Sequence, residues 1–490
     1  MTNSDFHDAS HTLVVSDIHL ADAEPTHKDN PLWKRFKRRK LFVDKSFALF
    51  LEETQRKISE LGNQWPIELV LNGDIFDFDS VMQIPDPAPF EVNTLERLRG
   101  LSAEEDKSAF KIKIIIEDHH ILFDAIRDFI LAGNRLIFVI GNHDIELHWP
   151  KVQYEIVRQL DLSEEMKNSV RFCEWFYVSN QDTLFEHGNQ YDDYCASIDP
   201  LHPLIKKGRD ITVRLPFGNI AGRYMINGMG LMNPHVDSTY IRPLFGHLVF
   251  FFNYLLRTQP LILWDWLWGA VVTLVYSVGD GLLPPMRDPL MVEQRYDDVS
   301  DRANVQPRVV RGLRALHVHP AIYKPIQILR ELWLDRAILF ILMVAACFEF
   351  FLILGVSIDV SMWWFLVPFF FLFPIFVFYA RSVSSQVGKL QKKLFKIIPM
   401  SAQIAQVDRV VHGHTHVEQH TEIHGVEYLN TGTWSPAFHD VECTKPYGLK
   451  AFAWIRPKQE GVGREAFLFE WLNPGFKLIE KTTVSGVKKH

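Results

Sequence analysis

The sequence predicts an α/β fold that is interrupted by a long, apolar helical insertion. Three short apolar runs, at residues 13–15, 69–71 and 136–140, each end on a polar loop, as strands of an open α/β sheet commonly do. Between about residues 200 and 395 the composition changes, and long stretches lose nearly all of their charged residues. The two observations together predict a sheet-forming unit that is split around a helical segment.

The outer parts of the chain continue this alternation of strands and helices. Apolar residues recur at helical spacing over residues 43–61 and 117–132. Further apolar runs predict strands, at residues 183–186, 408–411, 426–429 and 448–454. We therefore assign residues 1–200 and 397–490 to one split α/β domain, and residues 201–396 to the insertion.

Composition excludes several classes of protein. Of the 490 residues, 47% are apolar and 23% are charged, which excludes a largely disordered chain. The net charge of −7 argues against a protein that coats nucleic acid, and we expect no nucleic-acid partner. The four cysteines form no Cys-x-x-Cys pair, so a zinc site built from thiolates is not expected.

Two stretches of the insertion are long and apolar enough to cross a membrane. Residues 337–356 hold one charge, at Glu349, and residues 361–380 hold none. Twenty residues form a helix of about 30 Å, which matches the hydrocarbon core of a bilayer. A weaker pair lies at 244–256 and 261–279. The alternative is that these helices are buried in a large soluble core or form a lid.

Charge placement favours a membrane protein whose sheet-forming outer parts are cytosolic. Residues 285–336 hold nine Lys and Arg residues, and residues 381–396 hold five more without an acid. The tip between the two apolar stretches, at residues 357–360, holds no basic residue. Basic flanks and a bare tip fit the positive-inside rule for a hairpin that enters from the cytosol.

Five polar segments follow predicted strands and carry potential metal ligands. They are Asp17-Ile18-His19, Gly73-Asp74-Ile75-Phe76-Asp77, Gly141-Asn142-His143-Asp144, His187-Gly188-Asn189 and Gly413-His414-Thr415-His416. Their carboxylate, imidazole and amide donors suit Mn²⁺, Fe or Zn²⁺ better than Ca²⁺. In an extended triplet the outer side chains share one face, so each Asp-x-His or His-x-His pair is expected to reach a single site.

Taken in order, the five segments resemble the calcineurin-like metallophosphoesterase family over about residues 1–195 and 405–435. The opening Ser-Asp-Ile-His-Leu and Gly-Asp-Ile-Phe-Asp resemble its UDP-2,3-diacylglucosamine pyrophosphatase branch. The resemblance implies a sandwich of two β-sheets flanked by helices, and two divalent metal ions, with Mn²⁺ favoured over Fe or Zn²⁺. The residues that it implies as metal ligands are Asp17, His19 and His416 for one ion, Asp74 as the bridge, and Asn142, His187 and His414 for the other.

The resemblance also implies two residues with a catalytic role. His143 would contact the phosphate and protonate the leaving group, and Asp144 would orient it. A metal-activated hydroxide would attack phosphorus in line. The turn 429–434 would support the metal ligands from behind.

The long insertion separates His187 from His414, and both must return to one metal centre. The insertion is therefore expected to cross a bilayer an even number of times or not at all. A basic run at residues 34–40, with six positive charges, forms either a solvated face or an overhang that binds an anionic head group or lipid surface.

These observations predict a metal-dependent hydrolase that acts on a phosphate ester or pyrophosphate at the cytosolic face of a membrane. Its substrate would be a phosphorylated small molecule or a lipid-linked one. One alternative is a phosphatase or nucleotide phosphodiesterase with a soluble substrate. The other is a membrane scaffold with a vestigial metal site.

Overall fold

The computed structural model describes residues 9–62, 66–231, 233, 235–236, 249–382 and 390–482. Within them the chain forms an α/β fold with two large mixed sheets. The strands are β1 (His11–Val15), β2 (Ile67–Asn72), β3 (Arg135–Val139), β4 (Val170–Cys173), β5 (Phe176–Ser179), β6 (Thr183–Glu186), β7 (Leu204–Lys207), β8 (Asp210–Val213), β9 (Arg409–His412), β10 (Glu418–Ile423), β11 (Val426–Thr431), β12 (Ala451–Pro457), β13 (Arg464–Trp471) and β14 (Phe476–Ile479).

The larger sheet has the strand order β14-β13-β12-β1-β2-β3-β4. Strands β1 to β4 run parallel, and β12 joins β1 in the antiparallel sense. The second sheet has the order β10-β11-β9-β6-β5, and β9 is parallel to both of its neighbours. Strands β7 and β8 form a separate antiparallel hairpin.

Thirteen helices of six or more residues accompany these strands in the described part of the chain. They are α1 (Asp44–Glu60), α2 (Thr94–Arg99), α3 (Glu105–Asp118), α4 (His120–Leu131), α5 (Pro150–Gln159), α6 (Phe217–Tyr224), α7 (Ile262–Leu282), α8 (Val292–Arg302), α9 (Pro307–Ala315), α10 (Pro325–Glu331), α11 (Leu334–Ser357), α12 (Leu366–Ser382) and α13 (Leu390–Ala405).

The two sheets pack face to face, with helices on both outer sides. Val14 and Ile137 of the larger sheet share a fully buried apolar cluster with Phe185 and Val411 of the second sheet. The outer face of the larger sheet packs against α1, α3, α4 and α5. The outer face of the second sheet packs against α8, α9 and α13. The predicted α/β class with flanking helices is confirmed.

The predicted strands appear close to their predicted places. The runs at 13–15, 69–71 and 136–140 fall in β1, β2 and β3, which are parallel neighbours. The division of the chain at residues 200 and 397 stays a prediction. Part of the predicted insertion nevertheless packs against the second sheet, through Val299 of α8, Val310 of α9 and Ile398 of α13.

Three helices among the described residues are long and apolar enough to cross a membrane: Ile262–Leu282, Leu334–Val356 and Met362–Arg381. The last two form the predicted antiparallel hairpin of α11 and α12. The rings of Phe340 and Phe376 lie 5.6 Å apart, and the Tyr379 hydroxyl donates to Asp335 at 2.7 Å. Most of the hairpin's large side chains are exposed to the surroundings of the protein. The first of the three candidates, α7, instead packs along the α/β core.

Candidate metal centre

The predicted metal ligands meet at one edge of the two sheets. Asp17 follows β1, Asp74 follows β2 and Asn142 follows β3, so the three lie at the carboxyl ends of parallel neighbours. In the second sheet, His187 follows β6 and His414 follows β9. Both halves of the chain therefore contribute to a single site, although 227 positions separate the last two residues.

Several groups of side chains in the described part of the chain could hold a metal ion, and they include two that are made up of predicted ligands. The possible ligand atoms of Asp17, His19 and His416 lie within 4.8 Å of one another, and so do those of Asp74, His187 and His414. All six were predicted as ligands from the sequence. The first group consists of the three ligands predicted for one ion. The second group consists of Asp74, the predicted bridging ligand, and two of the three ligands predicted for the other ion, His187 and His414.

Most of these residues have an unusual backbone conformation. Asp17, His19, Asp74, His414 and His416 have φ values between 52° and 66°. Non-glycine residues rarely adopt this left-handed region, and such strain tends to concentrate at functional sites. The expectation of extended triplets is therefore wrong: the paired side chains converge because the backbone is left-handed at the outer residues, not because it alternates like a strand.

Two histidines are held so that one ring nitrogen faces the site. His416 donates from Nδ1 to the carbonyl oxygen of His235 at 3.2 Å, and His187 donates from Nδ1 to that of Asn72 at 2.9 Å. A carbonyl oxygen only accepts, so Nδ1 carries a proton and Nε2 is the ring nitrogen that is left to face the site. Such outer contacts are typical of metal-binding histidines.

Buried polar atoms in the site lack protein partners, which fits a bound cation. His187 Nε2 lies 3.0 Å from Asp74 Oδ2, but the two do not form a hydrogen bond of acceptable geometry. The Oδ1 atom of Asn142 is also buried without a hydrogen-bond partner. Such groups are costly unless something satisfies them, and lone pairs on nitrogen and oxygen are suitable ligands for a divalent ion.

Glycines allow the loops of the site to pack closely. Gly73 has a φ of 81°, and a Cβ added there would lie 2.5 Å from the His187 ring. A Cβ on Gly141 would overlap Asp74. A side chain at either position would displace a predicted ligand.

His143 lies beside the two groups and contacts a different acid from the one expected. Its Nδ1 lies 3.2 Å from Oδ1 of Asp77, and its backbone N–H donates to Asp74. The side chain of Asp144 is fully buried and accepts from the backbone N–H groups of Ile75 and Gly141. Asp144 thus ties two ligand loops together, and the prediction that it orients His143 is wrong. The carboxylate that contacts the His143 ring is that of Asp77.

The acidic side chains give the site a strongly negative electrostatic potential. Burial alone would lower the pKa of His143, but the carboxylates of Asp77 and Asp74 outweigh it and raise the pKa to about 10. Burial would also lower the pKa of His187, but the carboxylates of Asp74 and Asp17 outweigh this effect and raise the pKa to about 9. A field that favours protonated imidazoles also favours a bound divalent cation.

Residues of the insertion complete the site, and sequence reasoning missed them. The ring of His235 stacks on that of His19 with centroids 3.9 Å apart, and its Nε2 lies 3.5 Å from Asp77 Oδ2. Asn219 of α6 donates to the carbonyl oxygen of Asn142 at 2.8 Å. Neither residue belongs to a motif or follows a predicted strand, so no sequence signal marked them.

A further acid, Asp192, lies 3.2 Å from His414 Nε2 and was also missed. The turn after β11 supports the site as expected. Asn430 donates to the carbonyl oxygen of Gly413 at 2.7 Å, and Thr433 Oγ1 donates to that of Asp17 at 3.0 Å.

The basic run at residues 34–40 is neither a free solvated face nor an open overhang. Lys37 is buried and pairs with Asp22, which also accepts from the backbone of the loop after β2. Arg39 pairs with Asp118 of α3. Lys37 also lines a small cavity together with His19 and His235. The run is therefore partly built into the wall beside the site.

A scan against protein-family models and a search of curated proteins find no match to this chain.

Proposed function

We propose that this protein hydrolyses a phosphate ester or pyrophosphate with the help of two divalent metal ions, as the calcineurin-like metallophosphoesterase family does. The observation that carries the proposal is the correspondence between predicted and observed groups. Six residues chosen from four of the five motifs lie in two clusters of ligand atoms, each within 4.8 Å.

In this proposal Asp17, His19 and His416 hold one ion, and Asp74 contributes to both. Asn142, His187 and His414 hold the other ion. The bound ions would activate water and neutralise charge that develops on the phosphate, and Mn²⁺ is the favoured metal for this donor set, with Fe or Zn²⁺ as alternatives.

His143 is the proposed general acid. Its Nδ1 faces Asp77, which leaves Nε2 as the atom that can give a proton to the leaving-group oxygen. The ring remains partly accessible, at 22% of its side-chain surface, unlike the nearly closed Asp77 carboxylate. Asp77 acts through His143 and is a positioning residue.

The hairpin of α11 and α12 supports a location at a membrane, and the charge distribution supports a cytosolic catalytic domain. A substrate that resides in the membrane, such as a lipid-linked phosphate or pyrophosphate, fits this location. The likeness to the UDP-2,3-diacylglucosamine pyrophosphatase branch belongs to the same proposal.

A turnover screen tests the reaction and its substrate class together. Detergent-solubilised full-length protein would be assayed with Mn²⁺ on lipid pyrophosphates, phospholipids, nucleotides and an aryl phosphate. Preference for a lipid substrate is expected. Preference for nucleotides would favour the soluble-substrate alternative, and absence of turnover on every class would favour the scaffold.

Asp74→Ala supplies the specific variant, because it removes a ligand common to both proposed ions. We expect a loss of activity by several orders of magnitude and a reduced metal content, with the fold intact. His120→Ala is the matched control, since His120 is an exposed histidine of α4 outside the site. Parental turnover and two bound ions in Asp74→Ala would overturn the assignment.

A further inference from the structure

Helix α7 is apolar enough to cross a membrane, yet it is attached to the α/β core along its whole length. Near its N-terminus, Asp265 lies 3.5 Å from Arg99 of α2. Near its C-terminus, Asp280 pairs with Lys207 of β7 at 2.7 Å. Fifteen residues of helix separate Asp265 from Asp280, which places the two attachments about 22 Å apart along a helix of 21 residues.

The middle of α7 lies just as close to the core. A Cβ added at Gly269 would be 2.8 Å from the carbonyl oxygen of Tyr224 in α6. The rings of Tyr224 and Tyr276 lie 4.8 Å apart. If α7 crossed a bilayer, this part of the core would have to lie within the hydrocarbon, together with the polar groups that hold both ends of the helix.

The polarity of α7 is opposite to that of a helix on a water-exposed surface. The face towards the core carries the small and polar residues, Gly269, Ala270, Thr273, Ser277 and Asp280, all of them buried. The face away from the core carries Trp264, Val271, Val275 and Leu282, whose spacing of seven, four and seven places them in one stripe. Trp264 is 64% exposed, Val275 is 63% exposed and Leu282 is 81% exposed.

Further apolar side chains are exposed in the segment before the helix. Phe252, Leu256 and Leu261 precede α7 and are also largely exposed. Large exposed apolar surfaces are unusual for a soluble monomer and mark interaction surfaces.

The position of the hairpin identifies what covers the stripe. Leu334, the first residue of α11, shares a buried cluster with Ala270 in the middle of α7. The hairpin therefore leaves the core directly beside α7. Wherever α11 enters a bilayer, α7 therefore lies at the point of entry. Trp333, which is exposed and immediately precedes α11, is a tryptophan, a residue type that is enriched at the interface between membrane and water.

We propose that α7 lies in the plane of the membrane, with its outward stripe buried in one leaflet, and that only the α11–α12 hairpin crosses. The occupant of the apolar surface is thus the lipid itself. This arrangement leaves an even number of crossings, so residues before and after the insertion stay on one side, as the shared metal centre requires. The proposal is independent of any hydrolytic activity.

Depth-dependent quenching tests the orientation in the full-length protein. A background with its four cysteines replaced by serine would carry a single cysteine, labelled with a fluorophore, at position 264, 271 or 282. The protein would be placed in phosphatidylcholine and phosphatidylglycerol vesicles with bromine at a shallow or a deep acyl position, or exposed to aqueous iodide. Leu49→Cys is the matched control, because Leu49 is an exposed leucine on α1.

We expect similar, strong quenching of all three α7 labels by the shallow bromines and weak quenching by iodide, while the label at 49 responds to iodide alone. Deep quenching at 271 with iodide access at 264 and 282 from opposite sides would show a spanning helix. Iodide quenching at all three positions would show a water-exposed face. Protection from both quenchers, with cross-linking between copies, would show a protein interface. Each of the last three results overturns the proposal.

Discussion

The side chains of Asp77 and His143 are in contact, with Oδ1 of Asp77 3.2 Å from Nδ1 of His143, although Asp77 follows β2 and His143 follows β3. The Oδ1 and Oδ2 atoms of Asp77 also accept from Ser80, which fixes the carboxylate in place. The acid beside the proposed proton donor therefore comes from a neighbouring strand end, not from the adjacent residue in the chain.

We predict that Asp77→Asn lowers kcat by about 10–100-fold, the usual scale for removing an outer partner of a site residue. The loss should be larger for substrates with poor leaving groups, because these depend on protonation. A double variant with His143→Gln should be little worse than His143→Gln alone, which is itself expected to lose ~10²–10⁴-fold. Additive losses in the double variant would contradict an action of Asp77 through His143.

His235 supplies the second prediction. The His235→Ala substitution keeps the backbone carbonyl that orients His416 but removes the ring that stacks on His19. We expect turnover to fall about 10–100-fold while metal content stays close to the parental value. His235→Phe retains an aromatic ring and separates stacking from the contribution of the imidazole nitrogen. Full activity in the alanine variant would mean that the ring contributes nothing to the site.

A buried ion pair supports the loop that carries Asn142 and His143. Lys111 Nζ of α3 lies 2.9 Å from Glu146 Oε1, and both side chains are completely buried. Lys111→Met leaves a buried charge without its partner, and we expect it to lower the free energy of unfolding by about 3–5 kcal/mol. Adding Glu146→Gln should recover most of that loss, as measured by denaturation in detergent.

The exposed pair between Lys151 and Asp106 serves as the control for this measurement. Lys151→Met should change stability little, since solvent screens the pair. A Lys111→Met protein as stable as the parent would show that Glu146 finds another partner or takes up a proton at no cost.

The hairpin supplies the fourth prediction. Full-length protein should sediment with membranes and resist washing with high salt and with carbonate, because salt removes electrostatic adhesion but leaves apolar burial. Replacing residues 337–380 by a short linker should weaken the resistance to carbonate, with the apolar stripe of α7 as the remaining contact, while the metal centre still assembles. Release of the full-length protein by salt alone would show that the hairpin does not enter the bilayer.

The meeting of the seven predicted ligands at one site could be foreseen from sequence because each lies in a short motif at a strand end. Strand ends are marked by local composition, and the parallel order of β1, β2 and β3 brings three of them together without further information. Asp77 lies in one of the five motifs, but no rule of local spacing says which of two nearby acids a histidine will face. That choice depends on the loop conformation after β2.

His235 and the orientation of α7 were not accessible in the same way. His235 lies in the insertion and is brought to His19 by the tertiary fold, so no local sequence pattern marks it. Hydropathy identifies α7 as apolar but does not show how the helix is oriented relative to a bilayer. A helix that packs against the core at both ends can have the same composition as one that crosses a membrane. The small residues at Gly269, Ala270 and Thr273 were the available signal, because their spacing predicts a close contact on one side of the helix.

The split of the ligand set around the hairpin also imposes an order on synthesis. Asp17, Asp74, Asn142 and His187 precede the hairpin in the chain, whereas His414 and His416 follow it. The ribosome makes the chain from its N-terminus, so α11 and α12 are available to the insertion machinery before the last two ligands exist. In the proposed membrane protein, the newly made chain would reach the membrane before it could complete either ligand group, and assembly of the candidate metal centre would follow targeting in time.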